Sequence, residues 1–150
     1  ILEIYIDGDA CPVKDEAIRV SQRHNLIIHL VGNTWLRAGN SPLINRVVVG
    51  KQLDAADDWI AERCGNGDIV ITSDIPLADR CIKAGATVLN HNGKAFTPDS
   101  IGITLATRDL MAHLREVGEI TSGSPAFNRQ DRSRFLQALE NAIQSLIRNS

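Results

Sequence analysis

Gly67-Asp68-Ile69-Val70-Ile71-Thr72-Ser73-Asp74-Ile75-Pro76 is the stretch on which the fold turns. Asp68 to Thr72 is a short, β-branched apolar run, set between Gly65-Asn66-Gly67 and Ser73-Asp74, and it reads as a buried strand. Pro76 suits the first turn of a helix, and the spacing predicts a helix over about Pro76–Lys83, closed by Gly85. Strand, acidic turn and helix therefore form one unit. The chain opens with a second unit of this kind.

On the N-terminal side, Leu2 to Ile6 is a second apolar, β-branched run that stops at Asp7-Gly8-Asp9. A helix follows from Pro12 to about Arg23, with Val13, Ala17 and Val20 at helical spacing. Leu26 to Val31 is a strand, Asn33 to Pro42 a loop with Trp35 in its middle, and Arg46 to Val49 a shorter strand. Asp54 to Cys64 returns to a helical pattern. Beyond the opening stretch, Thr87 to Asn90 is a strand and His91-Asn92-Gly93-Lys94 a tight turn. Two helices, about Asp99–Val117 and about Asp131–Arg148, flank an arm over Gly118–Gln130.

Short buried strands alternating with helices specify an α/β fold, a three-layer sandwich with a mostly parallel central sheet and helices on both faces. Residues 1–150 are expected to form one domain, with 119–150 as a C-terminal arm and helix packed on it. With 43% apolar but only 4% aromatic residues, its core is built from Ile, Val, Leu and Ala. No apolar run has the roughly 18 residues needed to cross a bilayer, and no signal peptide is legible, so the expectation is a cytoplasmic protein without a membrane partner. Cys11, Cys64 and Cys81 form no CxxC pair, and the four histidines have no metal-ligand spacing, which argues against a disulfide framework and a structural zinc site. The net charge of −2 does not advertise a nucleic-acid partner. Arg108, Arg115, Arg129, Arg132, Arg134 and Arg148 nevertheless collect in the last third.

In parallel α/β sheets, ligands bind beyond the carboxyl ends of the strands, where strand order reverses. Asp7 and Asp9 follow the first strand and Asp74 follows the Asp68–Thr72 strand, so both groups are expected at one edge. Asp54, Asp57 and Asp58 share a helix face, one turn apart. Each has an alternative reading as a helix cap or first-turn acid: Asp9 for the helix near Pro12, Asp54 with Asp57 for its own helix, Asp74 for the helix near Pro76. Asp7 fits that reading least, because Gly8 separates it from any helix start. Together, converging carboxylates call for a counter-charge, and a hard divalent cation such as Mg²⁺ or Mn²⁺ supplies one through oxygen ligands. A metal held this way supports phosphodiester hydrolysis.

The run Asp7-Gly8-Asp9-Ala10-Cys11-Pro12-Val13-Lys14 resembles the "DADACPVK" opening of the YaiI/YqxD family, conserved bacterial proteins without established function. Gly8 stands where Ala is commoner. The resemblance continues through Gly67–Thr72 and Asp74-Ile75-Pro76-Leu77-Ala78. It ends with Pro125, Phe127 and Asp131-Arg132-Ser133-x-Phe135, so it spans nearly the whole chain. It implies a PIN-like fold, whose typical members are Mg²⁺- or Mn²⁺-dependent ribonucleases with an acid after the first strand, acids on a middle helix and a Thr-x-Asp after a later strand. Asp7, Asp54 or Asp57, and Asp74 of Thr72-Ser73-Asp74 match those places; Asp58 and Asp79 are outer candidates.

For a phosphate-bearing substrate, Lys14, Thr72, Arg108 and Arg132 are the candidate contacts, against solvated helix positions for the three bases. Cys11 falls at a helix N-terminus, where a thiolate is stabilised, but without a neighbouring base it reads as a small buried residue. Trp35 either stacks on a base, plugs a gap or makes a homodimer contact; Trp59 reads as core. Three functions follow: a metal-dependent nuclease acting on RNA, a non-catalytic RNA- or protein-binding domain, and an aspartyl-phosphate phosphatase of the haloacid-dehalogenase type with Asp7 as nucleophile and Asp9 as general acid.

Overall fold

The structure is a computed structural model that describes residues 2–8, 11–33, 41–50, 55–98, 100–101 and 128–148. The elements run β1 (Glu3–Asp7), α1 (Lys14–Arg23), β2 (Ile27–Gly32), β3 (Ile44–Val48), α2 (Ala55–Arg63), β4 (Ile69–Ile71), α3 (Ile75–Lys83), β5 (Thr87–Leu89), β6 (Ala95–Phe96) and a C-terminal helix, α4 (Arg129–Arg148). The strands form one sheet in the order β3-β2-β1-β4-β5-β6. All pairs are parallel except the last, where β6 returns antiparallel to β5. β1 is central, pairing Ile4 with Ile28 on one side and with Ile69 on the other.

Two apolar layers cover this sheet, as a parallel sheet requires. Ile4, Ile6, Leu30 and Ile71 face α1 and α4, where Val13, Ala17, Phe135, Leu139 and Ile143 are buried against them. Tyr5, Val31, Val70 and Val88 point the other way, onto Ile60 of α2 and Leu77, Ala78 and Cys81 of α3. The α/β sandwich read from the strand–helix alternation is what the chain forms. In α4 the buried residues recur every fourth position, giving a single stripe; each such side chain contributes roughly 1.5–3 kcal/mol by leaving water.

Element ends depart from the sequence reading in instructive ways. β3 begins at Ile44, two residues before Arg46, because Ile44 is buried and pairs with Ile28 although polar Asn45 follows it. β6 was absent from the sequence reading: at two residues it carries no period, and the parallel core beside it creates it. Its turn holds Gly93 at φ +88°, with Asn90 N donating to Lys94 O at 3.0 Å. α1 starts at Lys14, not Pro12, and its N-cap position is Val13, whose side chain makes no capping bond; the reading of Asp9 as that cap is corrected. α4 starts at Arg129, two residues before the expected Asp131: Asn128 caps it and Asp131 bonds back to Asn128 N at 3.1 Å, a capping box. Of the expected helix Asp99–Val117, only its opening is described: Thr97 and Ser100 bond reciprocally and Ile101 N reaches Thr97 O at 2.9 Å. The Gly118–Gln130 arm falls outside the described residues up to 127. Among the described residues no helix is long and apolar enough to cross a membrane.

Candidate functional site

From β1 the chain runs outward on one side to β2 and β3, then crosses back through α2 to β4 on the other side of β1. Strand order therefore reverses between β1 and β4, the position beyond whose carboxyl ends parallel α/β sheets bind ligands. Asp7 is the last residue of β1, and Thr72 and Asp74 follow β4. Thr72 is fully buried, and its hydroxyl does two things: Oγ1 donates to Asp7 Oδ2 at 3.1 Å and accepts from Asp74 N at 3.0 Å. Asp74 Oδ1 in turn accepts from Leu77 N at 3.0 Å as the N-cap of α3. The two motifs that the sequence placed at one edge are thus joined through a single hydroxyl.

The remaining candidates divide. Asp9, Asp54, Arg108 and Trp35 lie outside the described residues. Asp57 is half-buried on α2, close enough to Arg80 and Cys81 of α3 to act on both electrostatically. Asp58 is exposed and accepts from Arg80 Nη1 at 2.8 Å, and Asp79 accepts from Lys83 Nζ at 2.8 Å one turn along α3. Both outer acids are therefore taken up in ion pairs. Lys14 opens α1, in electrostatic reach of Cys11. Arg132, on the first turn of α4, pairs with Glu16 of α1, and its Nη1 also donates to Pro12 O at 3.4 Å. Among the described residues, no three carboxylate, imidazole or thiol side chains stand close enough to hold a metal ion.

Cys11 is pushed up to about 11, chiefly by burial and further by the negative charges of Asp7 and Glu16, against a backbone bond from Val13 and the Lys14 ammonium. The helix-terminus effect that would favour a thiolate loses to desolvation. Cys11 is a protonated, partly buried thiol. Trp59 is partly buried rather than core: Arg63 lies over its ring, 4.2 Å from the centroid, and the stacked Tyr5–His29 pair packs beside it. His29 Nε2 lies 2.7 Å from Glu3 Oε1 and its Nδ1 2.9 Å from Asn45 Nδ2. The amide nitrogen can only donate and the carboxylate only accept, so the proton sits on Nε2.

Two groups at the carboxyl edge escaped the sequence reading. Glu16 is over nine-tenths buried, and its Oε2 has no hydrogen-bond partner among the described residues. His91, two residues beyond β5, has a buried Nε2 in the same condition, and burial lowers its basicity, so the ring stays neutral at pH 7. No local pattern marks either. Glu16 looks like any first-turn acid, and His91 like a turn residue.

The chain thus forms a mostly parallel α/β sheet with Asp7 and Asp74 brought to its switch point through Thr72, the place where sheets of this kind bind their ligands. The chain belongs to the uncharacterised YaiI/YqxD family, whose model matches residues 5–145. A UPF0178 protein of Parvibaculum lavamentivorans is 56% identical over 146 residues, covering 97% of this chain and 96% of that one. Another, from Rhodopseudomonas palustris strain TIE-1, is 57% identical over 148 residues, covering 99% and 94%. A third, from Rhodospirillum rubrum, is 56% identical, covering 98% and 99%. No solved structure matches the chain.

Proposed function

We propose that the protein is a Mg²⁺- or Mn²⁺-dependent phosphodiester hydrolase acting on RNA, with its site at Asp7, Thr72 and Asp74 and with Asp9, Asp54 and Asp57 as further acids. The observation that carries the reading is the Asp7–Thr72–Asp74 link at the β1/β4 switch point. The donor set suits such a cation. Mg²⁺ takes one or two carboxylates and fills its remaining positions with water and substrate oxygens, so it needs no three-residue cage. When bound, such an ion supplies a Lewis acid for a phosphoryl oxygen and an acidified water. The chain's own contribution is orientation. Thr72 fixes the rotamer of Asp7, and the α3 N-terminus fixes Asp74. Lys14, opening α1, is a candidate base for a phosphate, with Arg108 and Arg132. The PIN-like resemblance points the same way, since it asks for an acid after the first strand and a Thr-x-Asp after a later one.

A second reading, a non-catalytic RNA- or protein-binding domain, is favoured by a different observation: Asp74 caps a helix and Asp58 and Asp79 sit in ion pairs, so these acids have structural work without a metal. Titrating the wild type, Asp7→Asn and Asp74→Asn with Mn²⁺, followed by thermal shift and by cleavage of single-stranded and structured RNA, separates the two. The hydrolase reading expects Mn²⁺ to raise the wild-type melting temperature, roughly tenfold or greater loss of affinity in Asp7→Asn, and cleavage that Asp7→Asn abolishes. A wild type indifferent to Mn²⁺ and Mg²⁺, with Asp7→Asn more stable than the parent, replaces it with the binding reading.

A further inference from the structure

Glu16 is the group whose surroundings ask for a role. It is 7% exposed, yet carries a carboxylate with one oxygen paired to Arg132 and the other unpartnered among the described residues. Burying a carboxylate is expensive even when paired, and an unpaired oxygen adds to the cost. Fastening α4 to α1 does not need such a pair, because Glu140, midway along α4, already joins Arg23 and His24 at the far end of α1, in a more exposed setting. The buried pair sits where α1 begins. Through the same Nη1 that meets Glu16, Arg132 also takes hold of Pro12 O. Next to Pro12, Cys11 N donates to Gly8 O at 3.3 Å, and Gly8 N donates to Val31 O at 2.8 Å. Gly8 directly follows Asp7. A continuous run of bonds thus leads from Glu16 to the end of β1.

We propose that Glu16 is a positioning residue of the candidate site: by orienting Arg132 it holds Pro12 and Cys11, and with them the carboxyl end of β1 that carries Asp7, against the first turn of α4. Glu16 touches no substrate in this role and acts only through Arg132. The proposal rests on the reading of the Asp7 edge as the functional site. It provides its own reporter, because Cys11 packs against the core shared by α1 and α4, whereas Cys64 and Cys81 are buried on the opposite face.

The test is alkylation of the full chain by iodoacetamide, with each cysteine followed by peptide mass spectrometry, in the wild type, Glu16→Gln, Arg132→Gln and Arg132→Lys. Mn²⁺ affinity is measured on the same proteins, well below their melting temperatures. Cys11 is expected to react roughly tenfold faster or more in Glu16→Gln and Arg132→Gln, with Cys64 and Cys81 still protected, and Arg132→Lys to fall between. Mn²⁺ affinity should drop by a similar roughly tenfold factor, the usual consequence of losing a group that orients a ligand. Wild-type Cys11 rates in both Gln variants overturn the proposal. So does parallel labelling of all three cysteines, which marks a purely global loss of stability, and so does a freed Cys11 with unchanged Mn²⁺ affinity. A wild type that binds no Mn²⁺ sinks the hydrolase reading instead, and Cys11 alone then decides whether the pair holds the turn.

Discussion

Thr72→Val is the substitution that bears most directly on the site. Valine matches threonine in shape, so the buried cavity stays filled and the change removes little except the hydroxyl. That hydroxyl donates to Asp7 Oδ2 at 3.1 Å and accepts from Asp74 N at 3.0 Å. A hydrogen bond to a charged group is worth about 1.5–3 kcal/mol, and the neutral one about 1. Asp7 and Asp74 are only half-buried, so water recovers part of both, and the extra buried methyl returns a further fraction. The net cost is about 2 kcal/mol, a fall in melting temperature of roughly 4–8 °C for a chain of this size. Thr72→Ser keeps the hydroxyl and should cost under about 1 kcal/mol, the value of one methyl group. In the Asp7→Asn background the penalty of Thr72→Val should shrink by about 1 kcal/mol, because the charged acceptor is already gone. Urea unfolding of the wild type, the three single variants and the Asp7→Asn/Thr72→Val double variant measures all of this. A Thr72→Val protein within about 0.5 kcal/mol of wild type, or one no worse than Thr72→Ser, would show that the hydroxyl does not organise this edge.

Two further outcomes follow from the coordinates. Gly93→Ala should destabilise by about 2 kcal/mol or more: the backbone sits at φ +88°, and a Cβ there would lie 2.5 Å from Arg134 O in α4, so both strain and a backbone clash act, read by thermal melting. Tyr5 is the only tyrosine, and its phenol is pushed up to about 12, by burial first and then by Asp68 and Glu3. The folded state therefore keeps a proton that the unfolded chain gives up near 10, so this contribution is whole below about pH 10 and is lost as pH rises toward 12. Phenolate absorbance should lag the free phenol by about two pH units, and Tyr5→Phe should remove that part of the alkaline loss of stability; ordinary phenol titration in the folded protein would refute it.

How far the sequence reaches is set by the range of the forces involved. β1 and β4 are legible because their cause is local: β-branched runs stopped by Asp-Gly and Ser-Asp turns. The capping of α3 by Asp74 is legible for the same reason, since its bond spans three residues. What brings Asp7 to Thr72 is a separation of 65 residues, and only the rule that parallel strands end together makes it readable. Beyond that rule the sequence falls silent. Asp58 and Asp79 are only loose matches to the outer acids of a site, and their ion pairs with Arg80 and Lys83 could not be read from the sequence, because they depend on how α2 packs on α3 and on the rotamers of α3. The Glu16–Arg132 pair, 116 residues apart, obeys no strand rule at all. Glu16 reads as an acid favouring the dipole of its own helix, and nothing local says that it is buried. Charges at this edge are therefore sorted by their partners, not by their motifs. Asp7, bound by the buried Thr72 hydroxyl, is the acid that packing has positioned at the β1/β4 switch point, and under the proposed function it is the first whose removal should change metal binding.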